Sequence, residues 1–306
     1  MPGRARPLRF ADRAIRLSAA MNAFDPRMTL DPRITPVRPD LAAKHLEGKV
    51  AAPRFVAGEP REIADPQTPL RRTPFPDAPL DTEALRGERI TIYEITEEGW
   101  AWGQLAADGY VGYLSENALR PAGPAATHKV TALRTLVLPG PDIKLPPMET
   151  LPLGAMLAVT RIADPFAVLA SGGYVPTQHL SPIGAFETDF VAVAERFLHT
   201  PYLWGGKTGL GLDCSALVQL ALNACGVSCP RDSDMQEQTL GTMVEDGSNL
   251  RRGDLLFWKG HVAIARDHQT LIHANAHHMA VAIEPISAAI DRIRKAGSAV
   301  TSVRRL

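Results

Sequence analysis

The sequence predicts an α+β protein in which two small β-barrels precede a domain of mixed helices and strands. Three observations support this prediction. A strand-turn-strand pattern ending in Gly-Tyr-Val occurs at residues 109–111 and again at 173–175, as in tandem copies of one small unit. From residue 189 onward the apolar residues follow helical spacing, which indicates a change of architecture. The chain has 306 residues, a length that favours two or three domains.

Composition narrows the classes of function. Apolar residues make up 45% of the chain, and Lys plus Arg and Asp plus Glu both number 33. Balanced charge gives no overall field that attracts nucleic acid or a membrane surface, so neither partner is expected. Only three cysteines occur, at 214, 225 and 229, which is too few for a disulfide framework and suits a reducing compartment.

Residues 1–80 hold half of the 26 prolines, so we expect an extended N-terminal arm that wraps the other domains, with a helical turn or two near 40–46. Arginines are spread through residues 1–27, and no apolar run of about 7–15 residues follows them as in a secretory signal. We therefore expect a cytoplasmic protein, with a periplasmic location as the alternative. Met1 and Met21 are both candidate starts.

The two β-barrels are predicted over 81–123 and 124–183. In the first, residues 89–95 alternate between apolar and polar side chains, and Asp108-Gly109 is a hairpin turn signal before the next strand. In the second, strands are predicted on both sides of the Gly172-Gly173 turn. The pattern resembles bacterial SH3 domains, the first copy more closely than the second.

The third domain is predicted over 184–306. Apolar spacing indicates a helix over Asp189–His199 and a second helix over Cys214–Cys225, which is so apolar that it must be central. Gly226 follows as a stop signal. Short strands with tight connections are predicted at 254–258, 261–265 and 270–274.

Cys214 is the candidate nucleophile of this domain. Asp213 precedes it as a candidate N-cap, so the sulfur is expected in the positive field of a helix N-terminus, where its pKa falls. The backbone N–H of Cys214 would then be free to donate to an oxyanion. Cys225 and Cys229 are interpreted as structural cysteines.

Two histidines supply the candidate base. His261 begins one predicted strand and His273 lies in the next, so His273 could orient His261 as the third member of a catalytic triad. Either ring alone would more ordinarily be a core histidine. His277 and His278 raise the alternative of a zinc site with His273, but neighbouring side chains on a strand point apart. We therefore expect no metal and no cofactor.

Six motifs in this order resemble the NlpC/P60 cell-wall peptidases, over roughly residues 186–300. The motifs are Pro201-Tyr-Leu-Trp-Gly-Gly, Gly211-Leu-Asp-Cys-Ser, Pro230-Arg-Asp-Ser, Arg252-Gly-Asp-Leu, Gly260-His-Val-Ala and Ile272-His-Ala. The resemblance implies a papain-like catalytic domain with Cys214 as nucleophile, His261 as base and His273 as the orienting residue. Ala216 and His199 replace glycines that are usual in the family.

The SH3-like modules resemble those of the γ-D-glutamyl-L-diamino acid endopeptidases. That resemblance implies that Tyr202, Asp213 and Ser215 hold the free α-amine of the substrate's alanine. It further implies a substrate-binding role for Arg231, in the Pro230-Arg-Asp-Ser motif. An acidic residue and a tyrosine of the first module would close the pocket, with Glu88 and Tyr110 as candidates and Glu83 and Tyr113 as alternatives.

These features together predict a cysteine endopeptidase that hydrolyses the γ-D-Glu–diaminopimelate bond of free murein peptides. The expected partner is L-Ala-γ-D-Glu-diaminopimelate, and the expected role is peptidoglycan recycling. Three alternatives stay open: an exported hydrolase acting on intact peptidoglycan, a non-catalytic peptide-binding protein, and a cysteine-dependent acyltransferase.

Overall fold

The computed structural model describes residues 30–245 and 249–306. Residues 1–29 of the predicted arm, including the alternative start at Met21, lie outside the described residues. Within the described part of the chain, no helix is both long enough and apolar enough to span a bilayer.

Seven antiparallel strands form the first β-domain, which follows a short pair of strands. The pair is β1 (Ala42–Ala43) and β2 (Phe55–Val56), with a 3₁₀ turn at Lys44–Leu46. The strands of the domain are β3 (Glu59–Ile63), β4 (Gln67–Arg71), β5 (Leu80–Leu85), β6 (Arg89–Ile95), β7 (Trp100–Leu105), β8 (Val111–Ser115) and β9 (Leu119–Pro121). Their order in the sheet is β5-β4-β8-β7-β6-β3-β9. Alternate side chains such as Ile90, Ala101 and Leu114 fill its core.

This sheet begins before the predicted boundary at residue 81. Strands β3 and β4 lie within 1–80, where the proline content predicts an extended arm, and β3 pairs with β6 and β9. Pro60 and Pro69 occur in these two strands, and both are exposed. A strand tolerates proline where the missing N–H faces solvent. The boundary predicted at residue 81 from the proline content is therefore too late in the chain. Proline content does not show whether a residue's N–H faces a neighbouring strand or solvent.

Three small sheets form the second β-domain. Its strands are β10 (His128–Val130), β11 (Arg134–Val137), β12 (Glu149–Pro152), β13 (Met156–Leu157), β14 (Val159–Ala163), β15 (Phe166–Leu169), β16 (Tyr174–Pro176) and β17 (Leu180–Pro182). They pair as β13-β10-β17, β11-β12 and β14-β15-β16. Val130, Leu151, Leu169 and Val175 are buried together in one core.

The third domain places helices on both faces of a six-stranded antiparallel sheet. Its elements are α1 (Phe190–Glu195), β18 (Lys207–Thr208), β19 (Gly211–Leu212), α2 (Cys214–Ala224), α3 (Ser233–Thr239), β20 (Thr242–Met243), β21 (Leu255–Trp258), β22 (His261–Ala265), β23 (Thr270–Asn275), β24 (Ala280–Pro285), α4 (Ile286–Lys295) and β25 (Val300–Arg305). The sheet order is β20-β25-β21-β22-β23-β24. The predicted α+β fold class is confirmed.

Side-chain alternation decides which helix each strand residue meets. Val262 and Ile264 share a buried cluster with residues of α2, whereas Ala263 and Ala265 lie in the cluster that includes Ala289 of α4. Both faces of the sheet are therefore covered, which explains the nearly continuous apolar run of these strands. The arrangement fixes α2, with Cys214 at its first position, against β22.

A buried ion pair joins the first β-domain to the third domain. Lys207 Nζ lies 3.0 Å from Glu88 Oε1, and the side chains are only 5% and 8% exposed. Burial lowers the pKa of Lys207, but Glu88 and Asp108 more than offset this effect, so the net shift is upward. The backbone N–H of Leu85 also donates to Glu88, at 2.8 Å.

We expect Glu88→Ala to lower the free energy of unfolding by about 3–5 kcal/mol, because it leaves the Lys207 ammonium buried without a counter-charge. Urea denaturation followed by tryptophan fluorescence measures the change. The double variant Glu88→Leu with Lys207→Met should recover most of the loss, since no buried charge is then left unpaired. A single variant as stable as the parent would contradict this account of the interface.

Candidate active site

A buried guanidinium supports the start of α2. Arg231 is 1% exposed and donates to both carboxylate oxygens of Asp213, at 2.9 and 2.8 Å. It also donates to Ser215 Oγ at 2.9 Å and to Thr82 Oγ1 of the first β-domain at 2.8 Å. Asp213 in turn caps α2 by accepting from the backbone N–H of Ala216, at 2.8 Å. Arg231 therefore fixes the residues on either side of Cys214.

Cys214 occupies the first turn of α2, as predicted, and is 7% exposed. Burial raises the pKa of its thiol to about 12, and the negative charge of Asp213 adds to this shift. The backbone amides of Val262 and Ser215 donate to the sulfur and oppose the shift without reversing it. The helix N-terminus was expected to lower this pKa, but burial outweighs that field. The sulfur is therefore a neutral thiol at neutral pH.

A chain of hydrogen bonds starts at the ring of His261, which precedes Val262 in β22, and continues to the two neighbouring strands. His261 Nε2 lies 2.8 Å from His273 Nδ1, and His273 Nε2 lies 2.7 Å from Glu284 Oε1. Arg292 of α4 donates to the same Glu284 oxygen at 2.6 Å. His273 is 1% exposed. The predicted contact between the two histidines is present, and the chain continues beyond them.

The end of this chain determines where each proton lies. Bonds from His273 and Arg292 outweigh the effect of burial and lower the pKa of Glu284 to about 2, so its carboxylate only accepts. His273 must therefore carry its proton on Nε2, which leaves Nδ1 to accept from His261 Nε2–H. Nδ1 of His261 is left as the unprotonated nitrogen. Burial, with a further contribution from His273, lowers the pKa of His261 to about 3, so this nitrogen is a neutral base.

A cleft of about 230 Å³ opens over Cys214. It lies where the third domain, the first β-domain and the segment before β1 meet. Its lining residues are Arg33, Arg72, Asp81, Tyr110, Tyr202, Trp204, Asp213, Cys214, Ser215, Asp232, Ser233, Asp234 and Gly260.

Carboxylates and phenols dominate the inner part of the cleft. Burial raises the pKa of both Asp81 and Asp232 above the ordinary range. Tyr110 donates to Asp232 Oδ2, at 3.1 Å. Burial also raises the pKa of Tyr202 to about 12, so its phenol stays neutral. A cationic group entering the cleft would meet acceptors on several sides, including Asp81, whose ion-pair partner Arg72 is largely exposed.

Arg33 closes one wall of the cleft. Its guanidinium donates to Asp232 at 2.8 Å and to Asp234 at 2.8 and 2.6 Å, while its backbone carbonyl accepts from the N–H of Val111 in β8. This residue of the predicted arm therefore links the first β-domain to the start of α3. Its side chain also forms an ion pair with Asp31, so three carboxylates contact the guanidinium.

The structure gathers most of the predicted substrate-binding residues around Cys214. Tyr202, Asp213, Ser215 and Tyr110 all line the cleft. Arg231 lies behind Asp213, with its donors directed at protein acceptors, so it positions the cleft and does not reach its surface.

Glu88 was predicted to close the pocket, and this placement is wrong. It is buried against Lys207 and does not line the cleft. Of the alternatives, Glu83 accepts from the backbone N–H of Lys207 at 2.7 Å, and Tyr113 accepts from Arg38 at 2.6 Å.

Asp81 is the acidic residue that the first β-domain supplies to the cleft, and the sequence analysis missed it. It also missed Glu284, Arg292, Arg33 and Asp232. The sequence signal for these residues was weak. Glu284 is an isolated carboxylate near the end of an apolar strand. Asp81 lies two residues before Glu83 in β5, so either carboxylate could have been chosen. Asp232 stands within the Pro230-Arg-Asp-Ser motif that was already noted.

Comparisons with known proteins agree with this architecture. The NlpC/P60 family model matches residues 199–295, and a model described as the bacterial dipeptidyl-peptidase SH3 domain matches residues 70–119. A protein of Lysinibacillus sphaericus named dipeptidyl-peptidase 6 is 31% identical over 223 residues, which are 65% of this chain and 81% of that protein.

Two comparisons with Bacillus cereus, one of sequence and one of structure, extend this result. In sequence, a protein named gamma-D-glutamyl-L-lysine dipeptidyl-peptidase is 28% identical over 68% of this chain and 71% of its own length. In structure, an NlpC/P60 family protein of known crystal structure superposes with a TM-score of 0.67 at 20% identity, over 81% of this chain and 99% of that one. At this identity the superposition shows a shared fold alone.

The hydrogen-bonded chain predicts an unusual titration of His261. Because its pKa is lowered to about 3, we expect the ring to stay neutral from pH 8 down to pH 4, where an ordinary imidazole has taken up a proton. Long-range ¹H–¹⁵N NMR should show an unprotonated Nδ1 and a protonated Nε2 throughout this interval. A ring protonated on both nitrogens at pH 7 would instead indicate a resting thiolate–imidazolium pair.

Proposed function

Because the chain belongs to the NlpC/P60 family of cysteine peptidases, we propose that it hydrolyses the γ-D-Glu–diamino acid bond of free murein peptides. The substrate carries an unblocked L-alanine at its N-terminus, and diaminopimelate or lysine follows the glutamate. Relatives named gamma-D-glutamyl-L-lysine dipeptidyl-peptidase support a γ-D-glutamyl peptide as substrate.

The observation that carries the proposal is the joint placement of Cys214 and Asp81 in one cleft. The nucleophile comes from the third domain, whereas the carboxylate comes from the first β-domain. An ammonium group held by Asp81, Asp213 and Asp232 would lie a short distance from the sulfur. In this proposal an L-Ala-γ-D-Glu unit spans from an amine held in this way to a carbonyl at Cys214.

The proposed reaction begins with attack of Cys214 Sγ on the γ-carbonyl carbon of D-glutamate. His261 Nδ1 takes the thiol proton as the C–S bond forms, because the thiol and the ring are both neutral beforehand. The backbone N–H of Cys214, at the first position of α2, has no acceptor within the helix and is available to the oxyanion. His261 then returns the proton to the departing amine. Water, deprotonated by the same nitrogen, hydrolyses the thioester.

A requirement for a free amine would direct the enzyme to peptides already released from the sugar chain. In an intact wall the alanine nitrogen is an amide, which has no positive charge to offset the buried carboxylates. We therefore propose a role in recycling murein peptides in the cytoplasm. Cell fractionation tests the location, and an exported hydrolase would instead act on peptides that are still attached to muramic acid.

Defined peptides test the activity directly. Mass spectrometry should find L-Ala-γ-D-Glu and the free diamino acid from the unblocked tripeptide, and no cleavage of its N-acetylated form. Cys214→Ala should abolish turnover. Cleavage of both peptides at equal rates would reject the amine requirement, and an active Cys214→Ala variant would reject the nucleophile.

We expect Asp81→Asn to raise KM by about tenfold to a hundredfold with little change in kcat, because a hydrogen bond to a charged group contributes about 1.5–3 kcal/mol and this one binds the unreacting end of the substrate. Steady-state kinetics on the tripeptide measure the effect. Asp77→Asn is the matched control, since Asp77 is exposed on the loop before β5 and does not line the cleft. An unchanged KM in Asp81→Asn would remove Asp81 from the binding site.

Glu284→Gln should act on kcat and leave KM nearly unchanged. A glutamine amide presents an N–H as well as a carbonyl, so it no longer fixes the proton of His273, and kcat should fall by about ten- to a hundredfold. Asp291→Asn, an exposed carboxylate on α4, serves as the control. Equal kcat values for Glu284→Gln and the parent would show that the proton order does not depend on Glu284.

A further inference from the structure

A second group of ligand atoms surrounds the far end of the histidine chain. One ligand atom each from His273, His278 and Glu284 lies within 4.8 Å of the other two. His278 is exposed, whereas His273 and Glu284 are buried. The zinc alternative raised by the sequence used His277 in place of Glu284, but His277 is not part of this group of ligand atoms.

His278 is oriented by a neighbour outside the catalytic chain. Its backbone N–H donates to Asn275 Oδ1 at 2.9 Å, and its Nδ1 lies 3.0 Å from the same oxygen. An amide oxygen only accepts, so Nδ1 of His278 carries the proton and Nε2 keeps its lone pair. A metal-binding histidine commonly has its second nitrogen held in this way.

We propose that His273, His278 and Glu284 bind Zn²⁺ and that the bound ion inhibits the enzyme. Two imidazoles and one carboxylate are a donor set that zinc accepts with tetrahedral geometry, and water completes the fourth position at the exposed side. Neighbouring ligand atoms of tetrahedral zinc lie about 3.3 Å apart. His273 Nε2 and Glu284 Oε1, now 2.7 Å apart, need to separate by roughly half an ångström for the ion to replace the proton between them.

Binding would reverse the proton order of the chain. With zinc on Nε2, His273 must carry its proton on Nδ1, and that N–H donates to His261 Nε2. The proton of His261 then lies on Nδ1. Two protons are present on the rings before and after binding, so none is gained or lost. His261 in this form has no lone pair with which to accept the proton of Cys214.

Arg292 opposes the ion without blocking it. Its guanidinium is paired with Glu284, but its side chain is 27% exposed, so it can move toward solvent when zinc arrives. Inhibition rests on the proposed peptidase function, whereas binding of zinc does not. The two are therefore measured separately.

Zinc binding is measured by isothermal titration of the Cys214→Ala variant, which removes the active-site thiol as a competing ligand. We expect one Zn²⁺ per chain and loss of this site in Cys214→Ala with His278→Ala. The matched control, Cys214→Ala with His277→Ala, should bind like Cys214→Ala. NMR should show the proton of His261 moving from Nε2 to Nδ1 on addition of zinc. Binding that survives His278→Ala, or an unmoved proton, would overturn the proposal.

Activity on the tripeptide tests the consequence. The cleavage rates of the parent and of His277→Ala should fall at least tenfold at saturating zinc, and a chelator should restore them. His278→Ala should have the parent rate without zinc and keep it when zinc is added. Equal inhibition of His278→Ala would place the inhibitory ion elsewhere, for example on the Cys214 sulfur, and would overturn the inhibitory role.

Discussion

The ion pair between Arg231 and Asp213 is the interaction on which the rest of the site depends. It fixes the N-cap of α2 and therefore the direction of the Cys214 sulfur. The same guanidinium donates to Thr82 in the first β-domain. Arg231 therefore contacts both the helix that carries Cys214 and the first β-domain. A buried charge of this kind stabilises the fold only when every donor is satisfied. Satisfying Arg231 requires both domains, which makes their relative position part of the active site.

The second constraint is the fixed direction of the hydrogen bonds from His261 through His273 to Glu284, in which each ring nitrogen has one role as donor or acceptor. A carboxylate held by Arg292 cannot donate, and each ring in turn has a single possible tautomer. The neutral resting state follows from burial, which raises the pKa of Cys214 and lowers that of His261. In the proposed reaction, charge would separate only as the carbon–sulfur bond forms. The same fixed order makes the base sensitive to a change at the distant end of the chain.

Local sequence was sufficient to place Cys214 at a helix start and His261 and His273 on two short strands, because these elements can be predicted from adjacent residues. It failed for Glu88 and Asp81. Asp81 lies in β5, and Glu88 comes shortly after its end. Gly87 turns the chain between them, so that Glu88 accepts from the N–H of Leu85 and pairs with Lys207. That direction depends on a contact with another domain, which no local pattern contains. Glu284 was missed for a related reason, since its partner lies diagonally across the strand register.

The residues that line the cleft around Cys214 come from different segments of the chain. Cys214 belongs to the third domain, whereas Asp81, Tyr110 and Arg33 come from earlier parts of the chain. Arg33 ties Asp232 and Asp234 to the first β-domain through its side chain and its backbone carbonyl. The end of the cleft is therefore walled by residues from three segments. The shape of this end can therefore change through the first β-domain or the segment before β1 while α2 and Cys214 stay as they are.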